Sequence, residues 1–194
     1  MSVTTRPSTT GSTRRLYFLR VGFAWIWAAL LVAALSSTGS LASGETPPAF
    51  ALGLLIVYPI VDVVASLWDA WTQRQRGRAT DATVQTVNAG LSAVTAIVIG
   101  IAHSASGVLH VFGTWAVVSG LIQLGLALVR RRNGRPGQWP MILSGGLSGL
   151  AGFSFNLTAG QDDVSLTVLA GYATMGGVFF LISAFRQTPA PALA

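Results

Sequence analysis

Residues His110 to Trp139 read HVFGTWAVVSGLIQLGLALVRRRNGRPGQW, and this stretch decides the fold. Val111 to Val129 contains no charged residue, and then Arg130, Arg131, Arg132 and Arg135 follow in quick succession. About 20 apolar residues wound as a helix reach ~30 Å, the thickness of a bilayer's hydrocarbon core. Arginines that close such a run belong on the cytoplasmic side. The stretch therefore predicts a transmembrane helix stopped by a basic loop.

The rest of the chain has the same character. Asp, Glu, Lys and Arg make up 9% of the residues and hydrophobic residues 52%, with a mean hydropathy of +0.61. A soluble domain carries about a quarter charged residues, so this composition leaves too little polar surface for one. At roughly 30 residues per span and connection, 194 residues hold six spans and no separate soluble domain. The expectation is an all-α, polytopic membrane protein of the inner (cell) membrane with six transmembrane helices.

The net charge of +6 does not point to nucleic acid. A nucleic-acid binder needs basic residues on a solvated face, whereas these arginines close apolar runs. Their expected partners are anionic lipid head groups, with no nucleic acid, and self-association as a homo-oligomer stays open. The chain has no cysteine, which removes disulfides, thiol catalysis and cysteine-held metals.

Residues 1–15, rich in Ser, Thr and Gly, are expected to form a disordered cytoplasmic tail, as is the end, 187–194. The transmembrane domain then occupies 16–186. Its apolar runs cover about 16–35, 49–70, 82–102, the His110 stretch, 139–155 and 164–185. A cleaved signal peptide is the rival reading of the first run, since Arg14 and Arg15 precede it. Trp25 and Trp27 inside the run and the spans that follow weigh against it. Counting arginines orients the bundle. With both termini cytoplasmic, all 12 arginines lie at the inner ends and the outer loops hold none, which gives N-in/C-in. Tyr17, Trp68, Trp71, Trp139 and Phe185 fall at the same boundary, where amphipathic rings are favoured.

Small residues recur along the chain. Gly53 and Pro59, Gly113 and Ser119, and Gly171 and Gly177 occupy matching places in alternate spans; Gly90-Leu91-Ser92 and Gly146-Leu147-Ser148 match in the others. The spacing fits three helical-hairpin repeats of roughly 55 to 60 residues. GTWAVVSGLIQLGLALVRRR, WPMILSGGLSGLAGF and LAGYATMGGVFFLISAFR together resemble the HdeD-like short-repeat membrane proteins, a family named after a bacterial acid-resistance protein. The likeness covers about residues 17–186. It implies a six-helix inner-membrane protein of three hairpins, non-enzymatic and linked to acid or envelope stress tolerance. It carries over no catalytic residue, and Asp62 is no signature of that family.

Candidate chemistry is sparse. Asp62 stands about 13 residues into the second span, where a carboxylate is costly unless protonated, paired or hydrated. Tyr58, Asp62, Ser66 and Asp69 share one helix face, and Pro59 frees a carbonyl on the preceding turn. One reading is a proton- or ion-responsive site of a small transporter or channel. The other is a carboxylate near the inner boundary that pairs with Arg74 or another loop arginine. Gln123, in the fourth span, is placed to meet Asp62 across a helix interface or to serve as polar glue between helices. His103 and His110 flank the outer connection between the third and fourth spans and are candidates for sensing external pH beside Asp162 and Asp163. Gly145, Ser148, Gly149 and Gly152, with Ser144, read as a close-packing face for a neighbouring helix. No catalytic set, cofactor motif or metal cluster is expected.

Overall fold

The computed structural model describes residues 9–135 and 137–186, with side chains from residue 14 onward. Of the two expected tails, residues 1–8 and 187–194 lie outside the described residues. Six helices run α1 (Thr9–Leu35), α2 (Ala49–Gln75), α3 (Ala79–Ala102), α4 (Ala105–Arg132), α5 (Trp139–Ala159) and α6 (Val168–Arg186). Two short strands, β1 (Leu41–Ala42) and β2 (Asp163–Val164), pair antiparallel. Helix α1 begins at Thr9, inside the stretch expected to be disordered.

The ends of these helices follow from local chemistry. Ser104 caps α4 by accepting the Gly107 amide at 3.1 Å, satisfying one of the orphan donors of the first turn. His103, just before it, ends α3 in the left-handed region at φ 47°. Pro140 sits at the start of α5, where its missing N–H costs nothing. The two connections at the arginine-bearing end both turn on glycine, Gly77 at φ 69° and Gly134 at φ 72°, a backbone region that penalises a Cβ.

Consecutive helices pack side by side, and α6 returns onto α1, so the bundle is a closed ring. The closest pairings alternate around it: α2 with α3, α4 with α5, and α6 with α1. Glycine makes the α4–α5 approach close. A Cβ added at Gly120 would fall 2.8 Å from the Gly145 carbonyl oxygen, and one at Gly113 would fall 2.9 Å from that of Gly152. On α5 the face that meets α4 is Gly145, Ser148 and Gly152. Gly149 belongs to it only through its backbone nitrogen, because its own Cβ position is open.

The ring is filled at one end. Trp27, Leu31, Leu35, Leu55, Ile99, Leu109, Phe112 and Leu169 form a core in the half remote from the arginines. Leu41 and Val164, facing each other across the strand pair, close it. The α1–α2 loop lies over the start of α4, where the Ala105 and Ser106 amides donate to Glu45 O (2.8 Å) and Ser43 O (3.1 Å). Those bonds satisfy backbone groups a buried helix start would otherwise leave unpaired.

Among the described residues five helices are long and apolar enough to cross a membrane; α5 is not among them. Its glycines and serines lower the average, although Leu143, Leu147, Leu150, Phe153 and Leu157 make an exposed apolar stripe along it. Leu19, Ile26, Val64, Ile97, Ile101 and Leu121 are likewise exposed on the outside of the ring. Apolar residues on the outer wall, with polar ones turned inward, are the arrangement a bilayer solvent favours.

Candidate functional site

Beyond the packed core the ring opens into a cavity of about 800 Å³ that reaches the arginine-bearing end. The cavity has walls from all six helices. Its blind end is aromatic: the Tyr58 ring lies 4.5 Å from that of Trp27, 5.7 Å from Phe112 and 6.0 Å from Trp115. Pro59 disturbs the helix beside it, and on that turn the Leu54 carbonyl accepts the Trp27 indole N–H at 2.6 Å. Tyr172 hydroxyl and Ser148 Oγ lie 2.7 Å apart, and Ser148 also donates to Ala116 O at 3.0 Å, tying α4, α5 and α6 together.

One turn from Tyr58 stands Asp62, about four-fifths buried and paired with Arg20 at 3.5 Å. Its other oxygen accepts Ser92 Oγ at 2.8 Å and Asn88 Nδ2 at 3.0 Å, with Ser66 Oγ at 3.5 Å, the outer limit of such a bond. Ser92 Oγ in turn accepts the buried Trp115 indole N–H at 3.0 Å and lies 3.0 Å from Asn88 O. A hydroxyl has one proton and two acceptor sites. Ser92 therefore donates either to Asp62 or to Asn88 O, never to both at once.

That choice lets the site accept either charge state. With Asp62 ionised, Ser92 gives its proton to the carboxylate and Arg20 balances the charge. With Asp62 protonated, the acid donates to Ser92 Oγ and the hydroxyl turns to Asn88 O, so no polar group is stranded. Arg20 then loses its counter-charge. Its guanidinium is held over the Phe180 ring at 5.0 Å, and its Nε is buried with no hydrogen-bond partner.

The approach to this pair is basic. Arg20, Arg76, Arg78, Arg130 and Arg186 line the cavity against only Asp62 and Asp69, which favours an anion as its occupant. Asp81 joins α3 to the far side of this cluster through Arg130 (3.2 Å) and Arg135 (2.6 Å). Arg78, in the α2–α3 turn, has its pKa pushed down by burial and then by Arg135 and Arg76. The like-charge part of that shift would be relieved by a bound anion.

Tyr58, Asp62, Ser66 and Asp69 do line one cavity, as their shared face predicts. Asp62 pairs with Arg20 rather than Arg74. Gln123 lines the same cavity but does not bond Asp62; its amide donates to Met141 O at 3.4 Å, across the α4–α5 pair. His103 is exposed and ends α3, and His110 bonds Asn156 Oδ1 at 3.0 Å instead of meeting Asp162 or Asp163. Arg20, Asn88, Ser92 and Trp115 are the residues that sequence reasoning missed. Two signals were available: Arg20 is flanked by apolar residues on both sides, and Asn88 and Ser92 stand four apart, which puts them on one face of α3.

Long apolar helices with apolar outer faces and an interior charged pair define the class as a multi-pass helical membrane protein. No family model, curated protein or solved structure matches the chain.

Proposed function

We propose that this protein is a six-span, N-in/C-in carrier of the inner membrane that couples a proton on Asp62 to the binding of an anion by Arg20. The observation that carries this reading is the Arg20–Asp62 pair at the depth of a basic cavity, with a hydroxyl network that serves both protonation states. In this coupling a proton taken up on Asp62 frees Arg20 for the anion, and loss of that proton lets Asp62 reclaim Arg20 and expel it. The charged and titratable groups sharing the cavity with Asp62 are Arg20 and Tyr17 of α1, Asp69 and Tyr58 of α2, Arg130 of α4 and Tyr172 and Arg186 of α6, with Arg76 and Arg78 at the mouth. The α3 wall contributes only neutral Val84, Gln85 and Asn88 to it, with buried Ser92 behind them on Asp62. In this reading the strand pair and the α1–α2 loop are the closed gate of an inward-open state.

Proteoliposome uptake of methanesulfonate, an anion ionised at every relevant pH, tests it. Wild-type uptake is expected to rise at least several-fold under an inwardly directed proton gradient, and Asp62→Asn to abolish that response. Identical background leakage in the two proteins would sink the carrier reading.

The orientation and the sixth span rest on the arginine asymmetry and on the apolar stripe of α5. Reporter fusions at Gly44 and Gly134 are expected to report periplasm and cytoplasm respectively. A periplasmic signal at Gly134 would overturn the topology.

A second reading is a passive, HdeD-like protein of three hairpin repeats that supports acid or envelope stress tolerance. It draws on the three-fold alternation of close and loose helix pairs around the ring, in which the close pairs join one hairpin to the next, and on the matched glycine turns at 77 and 134. It predicts no methanesulfonate uptake above the leak.

A further inference from the structure

The cavity has a side as well as an end. Leu147 and Leu150 of α5 and Val168 and Met175 of α6 line it, yet each is also exposed on the outer wall, Leu150 by 68% and Met175 by 51%. These residues flank one seam, and α5 and α6 pack together less extensively than any other neighbouring helices of the ring. Gly171 lies on the same seam, lines the cavity and has nothing within 4 Å of its Cβ position. The seam is thus an apolar slot that joins the Arg20 site to the hydrocarbon around the protein.

We infer that the anion this cavity takes is a single-chain amphiphile, its anionic head at Arg20 and its alkyl chain lying through the α5–α6 slot into the bilayer. The inference rests on the carrier reading for the role of Arg20, and adds the route of entry and the class of ligand. Two features of the site select such a molecule. A compact polar anion would satisfy Arg20 and leave the leucine-lined slot unused. A neutral lipid would fill the slot and bring no anion to a cavity end lined by more arginines than aspartates. The Arg20 side chain lines the cavity beside Asp62 and is the cation a head group would meet there.

Decanesulfonate and methanesulfonate, alike in head group and different in chain, test this on the full chain in neutral detergent. Binding is read as ligand-dependent thermal stabilisation and by isothermal calorimetry. Wild type is expected to bind decanesulfonate at least tenfold more tightly than methanesulfonate. Gly171→Trp, which fills the slot where space is open, is expected to remove that advantage while methanesulfonate binding persists. Leu150→Trp, on the opposite wall, should act the same way and guards against a folding defect peculiar to one variant. Arg20→Gln is expected to weaken both ligands at least tenfold. Equal affinity of the two ligands for wild type, or an undiminished chain advantage in both tryptophan variants, would overturn the lateral slot and leave the anion site standing. Unchanged binding in Arg20→Gln would overturn the anion site itself.

Discussion

Gly152→Leu is expected to abolish the folded bundle. The Cβ of any residue at this position would land on the Gly113 carbonyl oxygen and 2.7 Å from the Val117 amide nitrogen. Both obstacles are backbone, so no rotamer change relieves them, and α4 and α5 must move apart. Overpacking a well-packed site costs about 1–3 kcal/mol, and a wedge between two backbones belongs at or above the top of that range. Against a total stability of about 5–15 kcal/mol, a loss of that size, falling on the most closely packed helix pair of the ring, is expected to take away much of what holds the bundle together. Gly149→Ala, one turn away, adds a Cβ that meets nothing within 4 Å. It is expected to be neutral or to stabilise by up to ~1 kcal/mol through helix propensity. Thermal unfolding and size-exclusion profiles in detergent check both. A Gly152→Leu protein with wild-type melting would mean that α4 and α5 are not packed backbone to backbone.

The second large effect is expected at the charged pair. Arg20→Gln leaves the Asp62 carboxylate without its cation, and Asp62→Asn leaves the Arg20 guanidinium without its anion. Removing one partner of a buried pair costs ~3–5 kcal/mol, because the survivor stays desolvated and uncompensated. The two losses should differ. Asp62 keeps the Ser92 and Asn88 donors, whereas Arg20 keeps only the Phe180 face, so Asp62→Asn should be the more damaging. Arg20→Gln/Asp62→Asn together should recover most of the stability, since no lone charge remains. Added methanesulfonate should rescue Asp62→Asn and leave Arg20→Gln unaffected, because only the first presents a free guanidinium. Melting temperatures of the four proteins, with and without the anion, measure this. Additive losses in the double variant would show that the two side chains do not act as a pair.

Much of the architecture was legible in the chain because it depends on local properties. Apolar runs of bilayer length give helices, and the clustering of arginines at alternate ends gives two chemically distinct ends. The period of an α-helix places Tyr58, Asp62, Ser66 and Asp69 on one face. Glycine and serine at spacings of three and four on α5 announced close packing, and the structure supplies its partners, Gly113, Ala116 and Gly120. Gly149 meets α4 by its backbone nitrogen, 2.9 Å from where a Cβ on Gly120 would fall, and its own Cβ position is open. It shares the composition of that face, but its Cβ direction points away from α4, and composition carries no direction.

The site was only half legible. Asp62 stands out because a carboxylate among apolar residues is expensive wherever its helix lies. Arg20 was absorbed into the arginines of the first inner boundary, and Gln123, readable as a partner of Asp62 or as polar glue, takes the second role with its amide on Met141 O. Which side chain meets Asp62 depends on how α1, α2 and α3 are rotated about their axes and how far each is slid past the next. Those quantities are set by contacts between residues 22 to 30 positions apart or more, such as Asn88 with Ser66, Asn88 and Ser92 with Asp62, and Trp115 with Ser92. By itself, then, the sequence determined the helices, their lengths, the charge of their ends and the presence of one intramembrane carboxylate. Only the tertiary structure decided that the helices close into a ring, that Arg20 balances Asp62, and that the ring is packed at one end and hollow at the other. The physical reason is that periodicity and hydropathy act along a single helix. A cavity and a charge pair come into being only when several helices have fixed one another's rotation and depth.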